Sequence, residues 1–158
     1  IGISTNILHN PEDILASLIT LSDVSSIIEI ELESKSKNIF QYDKDKLEKL
    51  SADIIQLKHK KSLYISVHAP YIGEFADIAS SDDAVRLSAV NNMIKAMDIC
   101  QLIGANLMTL HPGYLSSQHT NTQLFDNLRS SLDVMCKAAD DRKITLSLEN
   151  TGSYRPKY

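Results

Sequence analysis

Two histidines and a glutamate stand at the exits of three apolar runs. His68 closes "SLYISVH", His111 closes "ANLMTLH", and Glu149 is the penultimate residue of "KITLSLEN". Each run is then interrupted, by Ala69-Pro70, by Pro112-Gly113 and, after Asn150, by Thr151-Gly152. Proline removes a backbone donor and glycine permits sharp turns, so the chain must leave the strand at once. The side chain just before the break is left at a rim with backbone beside it. Two imidazoles and one carboxylate are a standard ligand set for zinc, manganese or iron.

The remaining chemistry-bearing residues have plainer readings. His9 follows the first strand, His59 lies in the basic helix end "KHKK", and His119 lies in the polar loop "SSQHTNT". Glu29 and Glu31 alternate on the second strand and share a face, from which one of them can line the site. Tyr71, Tyr114 and Asn150 are expected as pocket walls. Cys100 and Cys136 sit in amphipathic helical patterns and read as small core residues with free thiols, which suits a reducing cytosol. No Gly-x-Ser-x-Gly is present, so covalent hydrolase chemistry has no support.

These residues must be positioned by a regular alternation of elements. Strands start near residues 1, 26, 62, 105 and 143. Between them the spacing predicts four helices. Asn10 caps the first, with Pro11, Glu12 and Asp13 in its opening turn and Ile14, Leu15, Leu18 and Ile19 buried. The second starts at Asp43 and buries Leu47, Leu50, Ile54 and Leu57. The third spans about 80–104, ends on Gly104 and turns Val85, Leu87, Val90, Ile94, Met97 and Leu102 inward, with Met93 a core residue beside Met97. The fourth spans about 122–139 and buries Leu124, Phe125, Leu128, Leu132 and Met135.

This order implies right-handed crossovers and a parallel sheet of class α/β. An open doubly wound sheet predicts a glycine-rich phosphate loop after an early strand. "STNILHN" after strand one contains no glycine, which favours a (β/α)8 barrel. There, consecutive strands are neighbours about 4.8 Å apart, and ligands gather at their carboxyl ends. His68, His111 and Glu149 then stand side by side at the mouth.

The chain has 158 residues, an ordinary globular composition and a formal charge of −4. That suits one domain over 1–158 and disfavours a polyanionic partner, which wants a positive face. No apolar run reaches the ~20 residues of a membrane helix. No signal peptide is evident at the start, and a cytoplasmic location is expected.

At the strand exits, "VHAPY" (67–71), "LHPG" (110–113) and "LENTG" (148–152) resemble the endonuclease IV and xylose isomerase-like barrel superfamily. The similarity is clear over about 62–152. It implies a (β/α)8 TIM barrel of which this chain covers the first five strands, incomplete at the C-terminus; self-association is the alternative route to closure. It implies metal ligation by His68, His111 and Glu149. In endonuclease IV the equivalent glutamate bridges two of three zinc ions. In the sugar isomerase and epimerase branch it binds one divalent metal and helps shuttle a proton, which makes Glu149 the catalytic candidate here. Three functions follow. The first is a sugar or sugar-phosphate isomerase or epimerase using zinc or manganese, with magnesium admissible; the acidic charge and the strand "SSIIEIELES" favour it. The second is cleavage of DNA at abasic sites, and the third a non-catalytic binding module.

Overall fold

Alternation along the second strand shows how the sheet is made. β2 (Ile27–Glu31) turns Ile28 and Ile30 to one side, where both are almost fully buried, and Glu29 and Glu31 to the other. The computed structural model describes residues 2–8, 13–32, 39, 42–71, 73–113 and 121–150. In chain order the elements are β1 (Ile3–Ser4), α1 (Ile14–Leu21), β2, α2 (Lys44–Lys61), β3 (Tyr64–His68), α3 (Asp83–Leu102), β4 (Leu107–Leu110), α4 (Asn121–Arg142) and β5 (Thr145–Leu148). The five strands are parallel and lie in the order β1-β2-β3-β4-β5. Each strand is the neighbour of the next, as a barrel wall requires and an open doubly wound sheet does not.

The two faces of the sheet differ in kind. Ile28, Ile30, Ile65, Val67, Met108 and Leu110 form one continuous core with Leu18 of α1, Ile54 of α2, Met93 and Met97 of α3, and Met135 of α4. Most of those side chains are excluded from water, and at ~25 cal/mol per Å² their burial dominates the folding free energy. The opposite face carries Ser4, Glu29, Glu31, Ser66, His68, Thr109 and Ser147. Barrel interiors are usually filled by branched aliphatic residues; this one is built of hydroxyls, carboxylates and an imidazole.

The helices return to the sheet through tight closures. Ser62, Gly104 and Lys143 each adopt a left-handed backbone, with φ of 52°, 68° and 57°. The following N–H reaches back five residues in all three: Leu63 to Lys58, Ala105 to Cys100 and Ile144 to Ala139, at 2.9–3.0 Å. These bonds satisfy carbonyls that the helix ends leave open.

Several sequence expectations need correction. α1 begins at Ile14 with Asp13 as its cap, accepting from the N–H groups of Leu15 and Ala16 at 2.9 and 3.2 Å. Asn10, Pro11 and Glu12, expected to open this helix, lie outside the described residues. Ile19, Leu87 and Phe125 were expected to be buried and are exposed, at 48%, 64% and 66%. Cys136 is exposed as well. One residue is 100° of helix rotation. Ile19, Phe125 and Cys136 each directly follow a buried residue (Leu18, Leu124, Met135) and so stand on the flank of the buried stripe. α4 also runs to Arg142, beyond the expected end.

Candidate metal centre

Strand register decides where the three residues meet. Glu31 pairs with His68, His68 with Thr109, and Thr109 with Ser147, so these four form one row on the polar face. Leu110 pairs with Leu148, which places His111 and Glu149 next to each other one step above that row. Backbone bonds fix the exits: Ala69 N–H donates to Thr109 O at 2.8 Å, and Glu149 N–H to Leu110 O at 2.9 Å.

The side chains converge. His68 Nε2 lies 3.3 Å and His111 Nε2 3.2 Å from the same Glu149 oxygen, Oε2. One ligand atom from each residue falls within 4.8 Å of the other two. The imidazole rings meet edge to face, 5.0 Å between centroids. Tyr71 packs against both, at 5.2 Å from His68 and 4.8 Å from His111. His68 is buried, His111 is partly covered, and Glu149 is about half exposed, so the cluster opens to solvent on its carboxylate side.

The electrostatics of this arrangement call for a cation. His68 Nδ1 lies 2.8 Å from the carbonyl of Ala69, an oxygen that can only accept. Nδ1 therefore carries hydrogen, and Nε2 is the ring's lone-pair atom in the neutral form. That lone pair points at a carboxylate oxygen, so either a proton or a metal ion must lie between them. Hydrogen bonding to His68 comes first in holding the Glu149 carboxyl below its ordinary 4.5; the nearby imidazole charges add to it, and partial desolvation opposes it. The spacing suits a metal. Tetrahedral zinc with ligands at about 2.1 Å separates neighbouring donors by about 3.4 Å, close to the two distances observed. The fixed Nδ1–H to carbonyl bond is also the outer support that metal-binding imidazoles use.

Other expected residues fall elsewhere. Glu29 does line the interior, where Thr109 Oγ1 donates to its Oε2 at 3.2 Å across the intervening β3. Glu31 occupies the His68 row. His59 is exposed in the last turn of α2, at the opposite end of the sheet. Asn150 is exposed beside Glu149. His9, His119 and Tyr114 lie outside the described residues. Thr109 escaped the sequence reading, although it stands two residues before His111 and so on the same face. Nothing local in the sequence marks Asn127 and Ser131 of α4, which hold the segment after β3.

The sequence profile of the family described as xylose isomerase-like TIM barrel (AP endonuclease 2) matches residues 26–157. The chain belongs to that family. Among xylose isomerase-like relatives, a protein named "Probable endonuclease 4" from Mycoplasma genitalium is 35% identical over 79 residues, covering 50% of this chain and 26% of that protein. A D-tagatose 3-epimerase-like protein superposes with a TM-score of 0.78 at 23% identity, over 98% of this chain and 54% of its own. The D-psicose 3-epimerase of Clostridium cellulolyticum H10, solved with D-tagatose, gives a TM-score of 0.74 at 14% identity, over 93% of this chain and 50% of its own. The chain thus spans about half of those structures and matches about a quarter of the curated relative. At such identities the structural likeness establishes the barrel fold. Among the described residues, no helix is long and apolar enough to cross a membrane.

Proposed function

We propose that His68, His111 and Glu149 hold a divalent metal, zinc or manganese by donor type, in a sugar or sugar-phosphate isomerase or epimerase. The observation that carries this reading is the polar inner face beneath the cluster. Glu29, Glu31, Ser66, Thr109 and Ser147 offer hydroxyl and carboxylate partners to a small polyol entering the barrel, whereas a duplex would lie across the mouth. The sugar epimerases among the structural neighbours point the same way.

A bound metal polarises a carbonyl oxygen and acidifies the adjacent carbon. The protein's own groups do the rest. His68 is held by Ala69 in one tautomer, with Nε2 facing the site. The Tyr71 ring covers both imidazoles and limits water on that side. Glu149 directs Oε2 at the imidazoles, leaving its other oxygen to take a proton from a sugar carbon and return it to the neighbouring carbon on the same face, which is an isomerisation; inversion at the same carbon would need a second acid on the opposite face. A carboxylate is ionised at neutral pH without a shift, and the lowering seen in the metal-free site makes Glu149 the weaker base. The two free cysteines accord with the reducing cytosol in which we place the protein.

The test is solvent deuterium exchange into a panel of ketoses, aldoses and their phosphates, read by NMR with Mn2+, Zn2+ or Mg2+. Metal-dependent exchange, reduced about 10²–10⁴-fold in Glu149→Gln, is expected. The sequence match to an endonuclease 4 favours a second reading, in which the substrate is DNA at an abasic site; the net charge of −4 weighs against it. Cleavage of an abasic duplex with no exchange on any sugar would replace the first reading by the second.

A further inference from the structure

The segment between Gly73 and Asp82, which links β3 to α3, is held by side chains from two helices. Asn92 of α3 donates to the carbonyl of Phe75 at 3.1 Å, and Arg86 to that of Ser80 at 2.7 Å. From α4, Ser131 donates to the carbonyl of Ile78 at 2.7 Å and Asn127 to that of Ser80 at 3.0 Å. Ser131 and Asn92 are themselves buried, as are Ala76, Ile78 and Ala79 on the segment. A connection that could have been a loose surface loop is anchored at three carbonyls.

The same segment receives the turn after His111. Gly113 has φ of +99°, a conformation side chains rarely adopt. A Cβ there would stand 2.6 Å from Asp77 Oδ1, 3.0 Å from Ala79 N and 3.3 Å from Ala79 Cβ. The exit of β4 is therefore seated on residues 77–79 by direct backbone approach, two residues beyond the imidazole.

We infer that Gly113 is a positioning residue for His111, and that Asn127 and Ser131 of α4 act through the 73–82 segment to hold it there. This rests on the metal reading given above. α4, whose residues touch neither imidazole in the contacts described, then contributes to metal affinity. The path runs from Ser131 to Ile78, through Ala79 to Gly113, and on to His111. Tyr71, whose ring lies 4.8 Å from that of His111 at a tilt of 39°, adds a second contact to the imidazole.

The experiment is Co2+ titration of the full chain, followed by its visible ligand-field spectrum, in the parent, Gly113→Ala, Ser131→Ala and Ile54→Ala. Ile54 is fully buried on α2, a helix that makes none of the hydrogen bonds described to this segment, and its truncation controls for general destabilisation. Apo thermal melts are recorded for all four. Support for a metal-ligating imidazole typically changes affinity about 10–100-fold. Gly113→Ala is expected to weaken Co2+ by at least that lower figure and Ser131→Ala by several-fold, both with an altered spectrum. Ile54→Ala should melt earlier yet bind with the parent's affinity and spectrum. If Gly113→Ala fails to fold by circular dichroism, Ser131→Ala decides. A parent that binds while Ser131→Ala matches it in affinity and spectrum overturns this inference alone. So does Ile54→Ala losing affinity in proportion to its stability. A parent that takes up no Co2+ overturns the metal reading and this inference together.

Discussion

Adding zinc to the chain should raise its melting temperature, and removing His111 should abolish most of the rise. The three donors already stand within 4.8 Å of one another, and the two Nε2 to Oε2 separations, 3.3 and 3.2 Å, are near the roughly 3.4 Å a tetrahedral ion requires. Little binding energy is lost to rearrangement, so the folded state binds far better than the unfolded one. At free metal one hundred times the parent's Kd, linkage gives about 2.7 kcal/mol of stabilisation. For a chain of this size each kcal/mol moves Tm by about 2–4 °C, which predicts a rise of about 5–11 °C. Changing an outer support typically costs up to about 100-fold in affinity, and loss of a donor atom should cost at least as much. At the same metal concentration His111→Ala then retains at most about 0.4 kcal/mol, or about 1–2 °C. The assay is a thermal melt by circular dichroism at several zinc concentrations, repeated at lower pH, where protons compete for both imidazoles and the shift should shrink. Equal shifts in parent and variant would place the ion elsewhere. No shift in the parent would remove the metal centre.

Three further outcomes are expected. Glu149 has a depressed carboxyl pKa; such a group contributes stability that is complete above its unfolded value and lost as pH falls through the folded one. The metal-free parent should therefore lose slightly more stability than Glu149→Gln on acidification below about pH 4.5, by less than about 1 kcal/mol because the side chain is half exposed; urea melts from pH 6 to 3 compare them. Lys143 holds a left-handed backbone at φ 57°, so Lys143→Gly should raise stability by roughly 0.5–1 kcal/mol net of glycine's extra unfolded-state entropy, read as a shift in urea midpoint. A thiol reagent should label exposed Cys136 rapidly, while Cys100, buried and with its thiol pKa pushed up to about 12, should react only on unfolding, as mass spectrometry across a denaturant series will show.

The strand order and the meeting of His68, His111 and Glu149 were legible because both follow from period-two alternation and from breaker residues placed shortly after each of the three. Such signals are local, and parallel register converts them into proximity without further information. The exposed positions of Ile19, Leu87 and Phe125 were not legible. An apolar residue one position from a buried stripe looks the same in sequence whether a neighbouring element covers it or not. The anchoring of 73–82 was hidden for a different reason. Ser131 and Asn127 are ordinary polar helix residues until α3 and α4 pack together and place the carbonyls of Ile78 and Ser80 within reach. Thr109 bonds Glu29 80 residues away in sequence, and only the sheet brings them together.

The two ends of the sheet are built on different terms, and this bears on how such a protein can change over evolutionary time. Two residues separate α2 from β3 and α4 from β5, and each of those closures depends on one left-handed position and one five-residue backbone bond. An insertion there breaks the bond and shifts the strand that follows, so those connections tolerate little drift. At the mouth the chain runs from His68 to Asp83 before the next α-helix begins, with one short 3-10 turn at Glu74–Ala76 on the way. Its length there is free to vary wherever the anchored carbonyls and the seat for Gly113 are kept. The groups presented at the mouth can therefore diversify, in nature or by loop exchange in the laboratory, on a scaffold whose strand positions are set at the other end.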